Sequence, residues 1–160
     1  MGNPINYTAE WTSAPNIEAF LPAGGPPGSL NSSLVNPTTT SANVFAGQVL
    51  ALTLNVDFSA AASLLQSPPA INFQTTGPRF GSLYYCPPVS AGPDMGAFYG
   101  QTISTILSAA NIKLGGNTPT PDLDIPIFNN LVDDLNNALD NCIPNATYAR
   151  WLFPTPCLPI

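Results

Sequence analysis

Apolar and polar positions alternate near the start of the chain, with Ile5, Tyr7, Ala9 and Trp11 on one side and Asn6, Thr8 and Glu10 on the other. A period of two predicts a half-buried strand over residues 5–11. The pattern then lengthens. Ser13 is placed to cap a short helix over residues 13–20, with Pro15 in its first turn and Glu18 near its positive end. Pro22 and the run Ala23-Gly24-Gly25-Pro26-Pro27-Gly28 stop it. Residues 29–41 are rich in Ser, Thr and Asn and read as a surface loop.

Ser41 offers a cap for the next apolar run. Phe45, Val49, Leu52 and Val56 fall at helical spacing, whereas Leu52, Leu54, Val56 and Phe58 also fit a strand. The helical pattern is the more continuous and predicts a helix over 42–54. Two Pro-Pro pairs and several glycines break residues 59–98, leaving short extended candidates at 70–74 and 82–86.

Regularity returns with Ile103, Ile106, Leu107, Ala110 and Leu114, a helical stripe capped by Thr102 and closed by Gly115-Gly116, predicting a helix over 102–114. A second stripe, Phe128, Leu131, Leu135, Ala138, Leu139 and Cys142, predicts a helix over 125–141 behind Asp124. Two stripes joined by a short link are expected to face each other. The last segment, 143–160, holds Trp151, Leu152, Phe153 and Leu158 among four prolines, too apolar for water and too Pro-rich for a helix.

These elements predict an α+β fold: a small helical core, a few short strands, Pro-rich loops and extended termini. The expected organisation is an N-terminal strand at 1–12, one globular domain at 13–142 and an extended tail at 143–160. A chain of 160 residues is long enough for one core that buries roughly 70% of the unfolded surface.

Composition changes the picture at the surface. Only 8% of residues are charged, with three cations, nine carboxylates and a net charge of −6. That balance repels phosphate backbones, so nucleic acid is not an expected partner. Asn, Ser, Thr and 19 prolines leave a neutral polar surface, suited to packing against copies of itself or glycan. No unbroken apolar run reaches the roughly 18 residues a bilayer span needs, so membrane insertion is not expected. No basic and apolar leader opens the chain, so a secretory signal is expected to be absent or already removed. Three cysteines, Cys86, Cys142 and Cys157, point to an oxidising, extracellular setting, paired as Cys142–Cys157 or Cys86–Cys142. Without His or a Cys-x-x-Cys pair, no metal or other cofactor is expected.

Catalysis finds little material. Ser or Cys nucleophiles lack a His base. Asp122 and Asp124 stand where helix caps are expected, and Asp133 and Asp134 point about 100° apart on a helix. Gly24-Gly25 and Gly115-Gly116 lack the spacing of a phosphate loop, and Asp57 and Asp94 match no calcium-loop spacing. The chain is expected not to be an enzyme. Asn6, Asn31 and Asn145 stand in Asn-x-Ser/Thr acceptor sites for covalent glycans, and Thr38, Thr39 and Thr40 form an O-glycan candidate. Tyr84, Tyr85, Phe98, Tyr99 and Trp151 would make a sugar-stacking platform, with core or interface packing the plainer reading.

The stretch from Ile17-Glu18-Ala19-Phe20-Leu21-Pro22-Ala23-Gly24-Gly25 through Val44-Phe45-Ala46-Gly47-Gln48-Val49-Leu50-Ala51-Leu52 to Val56-Asp57-Phe58 resembles a recurrent module of uncharacterised bacterial secreted proteins. Gly81-Ser82-Leu83, Gly100-Gln101-Thr102, Ala109-Ala110-Asn111 and Leu114-Gly115-Gly116 continue the likeness over about residues 13–141. The resemblance implies a secreted surface module with no catalytic residues to carry over. The chain also resembles subunits of extracellular helical filaments. It is therefore expected to be a structural subunit of a homopolymer of identical copies. Ile5, Tyr7, Ala9 and Trp11 would form a donated strand, and Trp151, Leu152, Phe153 and Leu158 further contacts. A secreted glycan-binding module is the alternative.

Overall fold

Three of the predicted helices form where their caps and stripes put them. The computed structural model describes residues 1–61, 78–88, 96–138 and 147–158, and among these α1 spans Ala14–Phe20, α2 Val44–Ala61, α3 Ile103–Leu114 and α4 Ile125–Asn137. Two small ladders complete the α+β fold. In one, β1 (Ala9–Glu10) runs parallel to β2 (Leu34–Val35); in the other, β3 (Tyr84–Tyr85) runs antiparallel to β4 (Leu152–Phe153).

The two clear stripes face a common partner. Both α3 and α4 pack on α2, and on each other. Phe128 of α4 lies between Phe45 and Phe98, ring centroids 5.9 and 5.3 Å away. All three rings are fully inaccessible, and burying each stabilises the fold by about 1.5–3 kcal/mol.

α2 runs seven residues past its predicted end at Leu54. Tertiary partners settle what spacing left open. The Phe80–Ser82 turn packs on its last turns, and Ser59 Oγ accepts a hydrogen bond from the Phe80 N–H at 2.8 Å. Gly81 permits that approach, since a Cβ there would meet Ser104 Oγ at 2.5 Å and Val56 Cγ1 at 2.9 Å. By length and composition α2 is apolar enough to cross a membrane. The expectation drawn from unbroken runs missed this because Gln48, Thr53 and Asn55 interrupt the sequence. Here α2 is the helix on which the core is built.

Those interruptions set its register. Gln48 Nε2 donates to Asp133 Oδ1 at 2.8 Å, Asn136 Nδ2 donates to Gln48 Oε1 at 2.7 Å, and Asn55 Nδ2 donates to Asn136 Oδ1 at 3.0 Å. A one-turn slip of α4 would leave these half-buried groups unpaired, which costs about 1–3 kcal/mol for each.

Helix ends follow expectation unevenly. Thr102 Oγ1 accepts the Thr105 N–H at 3.2 Å, and Gly116 takes the left-handed φ of +83° after α3. Ser13 and Asp124 occupy the N-cap positions of α1 and α4 without a side-chain bond. Ser41 is not a cap. Its hydroxyl donates to Ser29 O at 2.9 Å and accepts from Asn31 N at 3.1 Å, closing the preceding loop, and α2 begins three residues later. The final turn predicted for α4, 139–141, and the strand candidate at 70–74 lie outside the described residues.

Candidate assembly surfaces

Residues 1–12 do not form the single long strand that alternation predicts. Asn3 and Pro4 divert it: the Asn6 N–H donates to Asn3 O at 2.9 Å and the Ile5 N–H to Asn3 Oδ1 at 3.0 Å, closing a turn for which Asn and Pro are suited. Ile5 therefore sits at the tip, 91% exposed. Tyr7 and Trp11 are partly buried and Ala9 fully so.

The returning strand is bonded on both sides. Towards the start of the chain, Ala9 N donates to Met1 O and Asn3 N to Tyr7 O, both at 3.0 Å. Towards β2, Leu34 N donates to Thr8 O at 2.8 Å and Asn36 N to Glu10 O at 2.7 Å. This register turns the Val35 peptide groups away from β1, with no strand beyond them among the described residues. The Val35 side chain is 68% exposed.

The segment docks on the C-terminal end of α3. The Gly2 N–H donates to Asn111 Oδ1 at 2.8 Å. A Cβ on Gly115 would lie 2.5 Å from Asn3 N and 2.9 Å from Tyr7 O, so a glycine is required for backbone to meet backbone. Beside this contact, Leu30 N donates to Leu114 O at 2.8 Å and Ser29 Oγ to Lys113 O at 3.1 Å, satisfying carbonyls that the helix leaves open.

A second surface gathers at the N-terminal end of α3. Ile103 N donates to Leu83 O at 3.0 Å, and Tyr84 bridges Thr102. On its other side β3 receives the tail, where Ala149–Trp151 form a short 3₁₀ turn before β4. A disulfide joins Cys86 to Cys157, with Cα atoms 5.6 Å apart. This pairing replaces the two expected from the sequence, because β3 brings Cys86 to the tail; Cys142 lies outside the described residues. Such bonds persist in oxidising compartments. Tyr99 Oη donates to Leu158 O at 2.6 Å.

Here too the outer edge is unpaired among the described residues. The Leu152 N–H caps the 3₁₀ turn at Ala149 O, and Pro154 has no N–H. The β4 edge therefore offers a carbonyl acceptor and no donor. Phe153 and Leu158 are 44% and 83% exposed.

Beneath the tail, Tyr85, Asp134, Leu135, Tyr148, Arg150 and Trp151 line a cleft of about 80 Å³. Desolvation, reinforced by the neighbouring Asp133 charge, raises the pKa of Asp134 above the ordinary carboxylate range. Burial, and then the Asp134 charge, pushes the Tyr85 hydroxyl upward. The Arg150 guanidinium lies 4.6 Å from the Trp151 ring centroid, a cation–π contact.

The remaining sequence candidates are dispersed. Asp133 serves Gln48 while Asp134 enters the cleft, so the adjacent acids do not converge. Asp122 is ion-paired with Lys113 at 2.7 Å. The five aromatic residues do not form one platform: Phe98 and Tyr85 belong to the core. Asn6 and Asn31 are exposed, as are Thr38 and Thr39, whereas Thr40 is buried and closed to a glycan. Asn145 lies outside the described residues. Sequence reading missed Val35 and Glu10, because a two-residue strand in a polar loop carries no periodic signal.

No protein-family model, curated protein or solved structure matches the chain.

Proposed function

We propose that this chain is a structural subunit of a self-assembling extracellular filament, on a bacterial surface by the resemblance noted above, whose copies exchange the segment 1–12. The observation that supports it is how separable that segment is. It is fixed by main-chain hydrogen bonds, half-buried rings and a glycine cradle, and contributes only Ala9 to the fully buried core. A neighbour's copy would satisfy the same groups equally well, so exchange conserves every contact while linking subunits. The low charge and the Cys86–Cys157 bond fit assembly outside the cell.

Deletion of residues 1–12, followed by negative-stain microscopy, tests this. The full chain should form polymers and the deletion variant dispersed, folded particles. Filaments of unchanged geometry after deletion would remove the donor role, and a full-length chain that stays dispersed at high concentration would remove the filament itself.

A second reading, binding of a neutral glycan, is favoured by one observation. A cleft of about 180 Å³ is lined by Thr38, Thr39 and Asn43 among others, neutral polar side chains of which the two threonines are exposed. Glycan-array binding lost on the double change Thr38→Val and Thr39→Val would support it.

A further inference from the structure

We infer that subunits meet head to tail, the Leu34–Val35 edge of one copy seating on the Leu152–Phe153 edge of the next. This rests on the homopolymer reading but not on strand exchange. Among the described residues the outer edge of β2 is open whether the β1 beside it is its own or a neighbour's.

Three observations carry it. The first is placement. The β1–β2 sheet abuts the C-terminal end of α3 through Leu30, Asn3 and Gly115, whereas β3–β4 abuts its N-terminal end through Leu83 and Thr102. The helix has 12 residues, about 18 Å of length, so the two edges occupy opposite poles.

The second is chemistry. Of the six large apolar side chains exposed among the described residues, Ile5 and Val35 lie at one pole and Tyr148, Phe153 and Leu158 at the other, the sixth being Phe58 in the last turns of α2. Glu10 is exposed beside Val35, with the Met1 ammonium close by, and Arg150 is exposed beside β4, so seating one edge on the other brings a carboxylate towards a guanidinium.

The third is hydrogen-bond polarity. The β4 edge presents the Leu152 carbonyl without a donor, so it cannot pair with a second β4. The Val35 N–H supplies the missing donor. Two different surfaces meeting make a heterologous contact, which propagates as an open filament wherever its rotation does not close a ring.

A photo-crosslinking phenylalanine analogue at position 35, in polymers mixed from ¹⁴N- and ¹⁵N-labelled chains, tests the contact by mass spectrometry. Mixed-label cross-links to residues 150–158 are expected. Cross-links from 35 to 35, or to other surfaces of intact polymers, would overturn the head-to-tail contact and leave the homopolymer standing. Dispersed particles on the microscope grid would overturn both. As a second arm, E10K or R150E alone should raise the critical concentration for assembly about fivefold, and an equimolar mixture of the two variants should recover part of the loss. No recovery on mixing would refute the Glu10–Arg150 pairing.

Discussion

Replacing Gly115 with Ala should lift the N-terminal segment from its cradle without unfolding the core. The backbone at this position, φ −73° and ψ 4°, accommodates alanine, so in open space the change would stabilise the chain by about 0.4–1 kcal/mol through the unfolded state. Here the new methyl group would stand 2.5 Å from Asn3 N, 2.7 Å from Asn3 Cβ and 2.9 Å from Tyr7 O. Two of these atoms are backbone, which cannot rotate aside. Overpacking of this kind costs about 1–3 kcal/mol, small beside a global stability of about 5–15 kcal/mol. It is enough, however, to shift the local equilibrium of a segment held by a few hydrogen bonds worth about 1 kcal/mol each. Hydrogen exchange reads the result directly. Protection of the Gly2, Asn3 and Ala9 amides should fall about tenfold or more, while Val49 and Leu131 in α2 and α4 keep theirs. A donated segment would meet the same methyl group, so polymers should be lost as well. Unchanged protection at Asn3 and Ala9, together with a Tm equal to or above that of the parent, would refute the close approach on which the cradle depends.

Two further outcomes are expected. The Cys86–Cys157 bond spans 71 residues, for which loop entropy predicts about 4 kcal/mol; the double change to Ser should lower Tm by about 8–16 °C, and a fall under about 3 °C would show that the tail is held without it. The folded-state pKa of Asp134 lies above the ordinary carboxylate value, burial being the larger cause, so the folded chain holds that proton more tightly and stability declines as pH rises from the unfolded value through the folded one. Asp134→Asn remains neutral, and its Tm relative to the parent should climb across that window and then level off; a difference that stays constant from about pH 3 to about pH 7 would contradict the shift.

Much of the helical core was legible because its signals are local. Thr102 and the Ile103-Ile106-Ala110-Leu114 stripe specify α3 without reference to anything distant, and the same holds for Phe128, Leu131 and Leu135 in α4. The end of α2 was not legible, since it is set by Ser59 meeting Phe80 across a separation of 21 residues. The N-terminal strand was overread: alternation from Ile5 to Trp11 is genuine, yet the Asn3-Pro4 turn takes Ile5 out of it. Cysteine pairing depended on β3 meeting the tail, a contact between segments that sequence spacing does not encode. The poles were half visible. Phe153 and Leu158 were conspicuous as apolar residues among prolines, but Val35 and Glu10 become neighbours only through a parallel register between two loops.

The Cys86–Cys157 bond has a mechanical consequence. Both α3 and α4 lie inside the covalent ring it closes, and tension applied between the two ends of the chain passes from residue 86 to residue 157 through sulfur. Under such tension a subunit extends only through residues outside the ring. The helices within are spared the load, leaving a short, stiff link where an unbridged chain would offer a long, extensible one.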